Sequence, residues 1–161
     1  MKKIVGRLGE IKSIQIESDF NHYGSGFSSY VHLYLSKRDG SDVEITQIDD
    51  FRTKETNGLM MYLSRMAPYS VYAEGTWHET YNKDKWQSSS SHYIEPEDIG
   101  TLPGSDWITE VNEIKDVLKQ YGVTLFTREE LDKKLSFEIN IPTILSDPPY
   151  RVFDCFFYWQ D

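Results

Sequence analysis

Thr53-Lys-Glu-Thr-Asn-Gly-Leu-Met-Met-Tyr-Leu-Ser-Arg-Met66 is the stretch whose period decides how the chain is read. Leu59, Leu63 and Met66 stand four and three apart, flanked by Met60 and Tyr62, which is the stripe of an amphipathic helix. Thr53 is placed to cap its start, and Pro68 to stop it. The spacing predicts one helix set between two groups of strands.

Working outward, the N-terminal side reads as three strands. Ile4 to Ile16 is a long strand with Gly6 and Gly9 permitting a bend. A polar loop, Asp19 to Gly26, leads to Tyr30-Val-His-Leu-Tyr-Leu35, which alternates. Val31, Leu33 and Leu35 point inward there; Tyr30, His32 and Tyr34 point outward. Lys37 to Asp42 is a hairpin loop with Asp39-Gly40 as its turn signal, and Val43 to Ile48 is the third strand. On the other side, Ser70 to Glu79 is a strand with Val71, Ala73, Gly75 and Trp77 on one face. The Asn82–Lys85 turn opens a polar fifth strand ending in His92-Tyr-Ile94, whose Ser88–Ser91 tract has little to pack, as in a mobile or edge strand.

Three strands, a helix and two strands is the order of an OB-fold barrel; an open curved sheet carrying one helix gives the same pattern. Glu95 to Ser105, with two prolines and two glycines, is a linker. It divides the chain into a β-rich part, residues 1–100, and a C-terminal part, residues 101–161, packed as one globular unit. The second part opens with a helix whose stripe is Trp107, Val111, Ile114, Leu118 and Tyr121, capped by Ser105 or Asp106 and ended by Gly122. Val123 to Phe126 is a short strand. Thr127-Arg-Glu-Glu130 is a capping box opening a helix to about Leu135. Ser136 to Ile141 is a strand, and Asp147 to Pro149 a turn. The fold class is α+β.

Composition excludes several kinds of protein. Aromatic residues make up 14 % of the 161, which argues against disorder despite a mean hydropathy of −0.56. Seventeen basic residues face 26 acids, for a net charge of −9. So acidic a surface repels nucleic-acid backbone and anionic membrane and attracts basic partners. The single cysteine, Cys155, excludes an intrachain disulfide and a cysteine-based metal cluster. No apolar run reaches membrane-spanning length and the N-terminus lacks a signal-peptide core, so the expected setting is the cytoplasm.

Catalytic motifs are missing. His22, His32, His78 and His92 include no pair at helical metal-ligand spacing. No Gly-x-Ser-x-Gly elbow is present. Gly24-Ser-Gly26 starts like a dinucleotide fingerprint, but Ser29 holds the third glycine's place and a strand follows. Cys155 has only Asp154 beside it, a neighbour that raises a thiol pKa. Asp154 itself interrupts an apolar run, where it is either an acid with a raised pKa or, as we favour, an acceptor of backbone or tyrosine hydrogen bonds. We expect no enzyme, no metal and no cofactor.

Two kinds of binding remain. On an OB-like ligand face Tyr30, His32 and Tyr34 would stack on bases, but acids outnumber Lys37, Arg38 and Arg52 there, which disfavours single-stranded nucleic acid. Protein binding fits better. Asp49, Asp50 and Glu55, and again Glu95, Glu97 and Asp98, sit at element ends or in loops near Trp77 and Trp86, giving aromatic anchors ringed by charge.

The chain closes with Tyr150-Arg-Val-Phe-Asp-Cys-Phe-Phe-Tyr-Trp-Gln-Asp161. Val152 to Trp159 is apolar on both faces except at Asp154 and reads as a strand covered on both sides. Phe153 to Asp161, together with Leu125-Phe-Thr-Arg-Glu-Glu-Leu131, resembles the tail of immunity proteins of bacterial polymorphic toxin systems, among them contact-dependent growth inhibition. The resemblance covers about the last forty residues. It implies a cytoplasmic, acidic, non-catalytic protein that binds a cognate toxin domain, frequently a basic nuclease. It carries over no binding residues, because immunity interfaces differ from pair to pair.

Overall fold

The computed structural model describes residues 1–21 and 26–160. His22 and most of the Gly24-Ser-Gly26 stretch lie outside them. The elements in order are α1 (Lys2–Leu8), β1 (Ile14–Asp19), β2 (Phe27–Ser28), β3 (Tyr30–Lys37), β4 (Val43–Ile48), β5 (Phe51–Ser64), β6 (Tyr69–Asn82) and β7 (Lys85–Ser91), then α2 (Ile108–Gln120), β8 (Thr124–Leu125), α3 (Arg128–Leu131), α4 (Val152–Phe156) and β9 (Trp159–Gln160). The fold is α+β, built on a curled mixed sheet that closes about half a barrel.

The predicted helix over Thr53–Met66 does not form. Residues 53–64 belong to β5, a strand of 14 residues that is the spine of the sheet, and Arg65 and Met66 follow its end. Leu59, Met61 and Leu63 enter one core, while Met60 and Tyr62 enter a second on the opposite face. A strand buried on both sides has no alternation to read, and its chance four-and-three spacing imitates a helix. Gly58 weakens a helix here, and the threonines at 53 and 56 favour extended backbone.

β5 organises the rest. Its C-terminal half pairs with β3, from Leu35↔Leu59 to Tyr30↔Ser64, and its N-terminal half with β4, from Val43↔Thr56 to Ile48↔Phe51. β3 and β4 therefore lie end to end along one side of β5. Lys37–Asp42 is an excursion between them, and the hairpin expected there is absent. It is held by Asp42, whose carboxylate accepts the Lys37 N–H at 2.7 Å and whose carbonyl accepts the Asn57 N–H at 2.9 Å. β6 pairs along the whole other side of β5. At the β6–β7 turn Lys83 and Asp84 both have positive φ, the geometry of a tight hairpin turn, where the sequence placed one. β7 is exposed along its length, an edge strand as expected.

Two cores sandwich this sheet. On one face α1 and α2 cover Val31, Leu33 and Leu35 of β3 and their β5 neighbours through Leu8, Trp107, Val111, Ile114 and Leu118. On the other, Ile94, Ile99, Leu131, Phe153 and Phe157 cover Tyr30, Tyr34, Met60, Tyr62, Val71, Ala73 and Trp77. All eight β3 residues are consequently buried. Lys37 fastens α2 to the sheet: its Nζ lies 2.9 Å from the Glu110 carboxylate, donates to the Asp106 carbonyl at 2.9 Å and sits over the Trp107 ring.

Other expectations divide by how one-sided the burial is. The stripe of α2 is buried except for exposed Tyr121, with Val117 joining it, and Gly122 ends the helix at φ 67°. Neither Ser105 nor Asp106 caps it with a side chain; Ser105–Trp107 forms a 3-10 turn instead. The Thr127–Glu130 capping box is present, although α3 stops at Leu131. The long strand over Ile4–Ile16 is instead α1 followed by β1. Ser136–Ile141 forms no strand. The closing strand is also replaced, by α4, whose Phe153 and following Phe157 fall one helical turn apart and plug the second core. Only Trp159–Gln160 is extended, paired with β2. Among the described residues no helix is long and apolar enough to cross a membrane.

Candidate interaction surface

Beyond the two cores the far halves of β5 and β6 run on as an arm, flanked by β4 and β7. Residues directly opposite in antiparallel strands share a face. Lys54, Glu79 and Ser89 thus lie with Trp77 on the inner face, and Glu55, His78 and Ser90 on the outer. The inner face is concave. There the Tyr34 hydroxyl reaches across two strands to the Ser91 hydroxyl of β7, at 3.0 Å.

Polar cross-strand pairs hold the arm. Lys54 Nζ is 2.9 Å from Glu79, whose other oxygen accepts the Tyr81 hydroxyl at 3.1 Å. The Arg52 guanidinium lies 4.7 Å from the centre of the Tyr81 ring. On the outer face His78 is 3.4 Å from Glu55. At the tip the Asp50 carboxylate is 3.2 Å from Lys83, bridging the two hairpin turns. Large apolar side chains stand in solvent among these charges: Ile45 at 63 %, Ile48 at 68 %, Phe51 at 52 % and Trp86 at 57 % exposed. Single exposed apolar residues are ordinary, but here the register puts Ile45 and Trp86 on the inner face and Ile48 and Phe51 on the outer, so the projecting arm carries an exposed apolar pair on each side.

The structure sorts the sequence's partner-binding residues into two groups. Asp49 and Asp50 make the β4–β5 turn at the arm's tip, Asp49 with φ 52°, and Glu55 and Trp86 lie along the arm. Trp77 is not an exposed anchor, a correction: it is 6 % exposed and packs on Tyr34, ring centres 5.3 Å apart. Glu95, Glu97 and Asp98 form a separate patch against the C-terminal segment. There Arg151 bridges Glu97 at 2.7 Å and Asp132 at 3.0 Å, holding the Glu97 carboxyl below its ordinary pKa. Burial, with Glu97 and Asp98 nearby, pushes Glu95 up. A cavity of about 460 Å³ opens between this turn and Asp154.

Tyr30, His32 and Tyr34, expected to point outward as stacking surfaces, are also corrected. All three are buried, Tyr30 stacked on Tyr62 with centroids 4.0 Å apart and His32 on Tyr34 at the same separation. Packed on one another and on the second core, they offer no outward stacking surface. Asp154 accepts the Arg151 backbone N–H and the Ser146 hydroxyl, each at 2.6 Å, in the first turn of α4. Cys155 is half-buried, and burial, then Asp154, raises its thiol pKa. Among the described residues no group of three His, Cys, Asp or Glu is placed to hold a metal.

Sequence reasoning missed Ile45, Ile48 and Phe51, because an apolar residue in a strand does not announce whether anything covers it. It also missed a second cavity, of about 220 Å³, on the concave face, lined by Glu17, Tyr34, Trp77, Glu79, Trp86 and the serines of β7. Only the curl of the sheet brings β1 to β7.

No family model, curated protein or solved structure matches this chain.

Proposed function

We propose that this chain is a non-catalytic immunity protein that captures and neutralises a basic toxin domain, such as a nuclease, in the cytoplasm. The observation that carries the reading is the arm: Ile45, Ile48, Phe51 and Trp86 stand exposed around the acidic turn Asp49–Asp50. Apolar anchors supply affinity once desolvated, and the surrounding acids speed encounter with a basic surface. A net charge of −9 extends that attraction over the whole chain. The likeness of the tail to immunity proteins points the same way. Single-stranded nucleic acid is the weaker reading, since its stacking rings are buried.

Co-expression tests this directly. A basic protein encoded beside this chain should arrest growth when produced alone, and the intact chain should restore growth. An Ile48→Asp, Phe51→Asp chain should fold and fail to restore it. Equal rescue by that variant would sink the assignment of the arm.

A further inference from the structure

The concave cavity is chemically distinct from the rest of the arm. Tyr34 and Trp77 form a buried, packed wall, held by the Tyr34–Ser91 hydrogen bond. Half-exposed Trp86 forms the rim. Both charged residues lining it are acids, Glu17 from β1 and Glu79 from β6. Glu79 already holds Lys54. Glu17 is exposed and makes no ion pair among the described residues.

A cation already resident on this face reports its field. Burial acts against the charge on Lys54, but the Glu79 hydrogen bond and the fields of Glu79 and Glu17 outweigh it, and the Lys54 pKa rises. Aromatic faces attract cations through their quadrupoles, and carboxylates add charge and hydrogen-bond acceptors. Anions are repelled here, and a neutral ligand gains from Glu17 a hydrogen bond but no ion pair.

We propose that this cavity receives an arginine side chain of the captured protein, its guanidinium lying against Trp86 and paired with Glu17. About 220 Å³ suits one such side chain and excludes a folded element. Glu17 then supplies the unpaired charge that Glu79, engaged with Lys54, does not. The source of the arginine rests on the protein-binding reading above; the chemistry of the cavity does not.

N-acetyl-L-arginine amide tests the site on the full chain without any partner, with N-acetyl-L-citrulline amide as its neutral isostere. The indole N–H resonances of the four tryptophans give a site-resolved readout. The arginine compound should shift Trp77 and Trp86 saturably, with a dissociation constant on the order of millimolar for so small a ligand. Trp107, 1 % exposed under α2, should stay fixed and report an intact fold. Glu17→Gln should weaken the response about three- to fivefold, and Trp86→Ala should remove the Trp77 shift. An equal response to citrulline, the absence of a saturable shift, or indifference to Glu17→Gln would each overturn the proposal. A toxin captured without any arginine response would overturn the cavity and spare the arm; an arginine response with no toxin partner would do the reverse.

Discussion

Lys37 on β3 and Glu110 on α2 meet at 2.9 Å with both side chains more than nine-tenths buried. Burial opposes both charges. Nevertheless, the hydrogen bond and attraction between them lower the Glu110 pKa and raise that of Lys37. Removing one partner strands the other, at a cost of about 3 to 5 kcal/mol. Lys37→Met should therefore lower the urea unfolding free energy by that order near pH 7, and Lys37→Met with Glu110→Leu should recover much of it. Glu110, depressed in the fold, stabilises above the ordinary carboxylate range and loses this as pH falls through its folded value. Lys37, raised, stabilises up to the ordinary lysine range and loses this as pH climbs through its folded value. The pair's contribution is then full from about pH 5 to about pH 10. The deficit of Lys37→Met should shrink as pH falls through the acidic range, because the stranded Glu110, with burial and no partner acting on it, takes up a proton before the paired one does.

Gly58 and Gly75 face each other across β5 and β6, and they are not equivalent. A methyl at 58 would overlap the Leu35 carbonyl oxygen and the Trp77 ring, neither of which can yield; at 75 it meets only the flexible Met60 side chain. Gly58→Ala should cost about 3 kcal/mol and Gly75→Ala about 1 kcal/mol, read as denaturation midpoints. Equal costs would show that the Trp77 wall is soft.

The Tyr62 hydroxyl accepts the Ile94 N–H at 2.9 Å inside the second core. Tyr62→Phe leaves that N–H buried and unpaired, which costs about 1 to 3 kcal/mol. Hydrogen exchange at Ile94 should rise by the matching factor while the α2 amides hold their relative protection. Unchanged exchange would mean that water replaces the hydroxyl.

Asp154 accepts two hydrogen bonds in the first turn of α4, which makes it a helix-starting residue. Asp154→Ala should lower stability by about 1 to 2 kcal/mol and leave partner affinity, measured well below the transition, within twofold. A tenfold loss of affinity with the fold intact would instead give Asp154 a part in binding.

Legibility in the sequence followed one-sidedness of burial. Trp107, Val111, Ile114 and Leu118 announce α2 because its far side is wet, and β7 announces itself by serines with nothing to pack. Leu59–Leu63 and Val152–Phe157 are covered from both sides, so their patterns carry no period, and a strand was read as a helix and a helix as a strand. Asp154 three residues after Arg151, with Phe153 and Phe157 four apart, was the available signal for α4. Asp49–Asp50 was legible as an element end. Glu17 and Trp86 were not legible as neighbours, because only the curl of the sheet joins them.

The central claim is that the arm is a capture surface for a basic protein. The most direct measurement is affinity capture from the native host with three tagged chains side by side: wild type, Asp49→Lys with Ile48→Asp, and Glu113→Lys on the exposed side of α2 as a control of charge. The account predicts a stoichiometric basic protein on the wild type and the control, released at high salt and absent from the arm variant. The same partner retained in equal amount by the arm variant would contradict it.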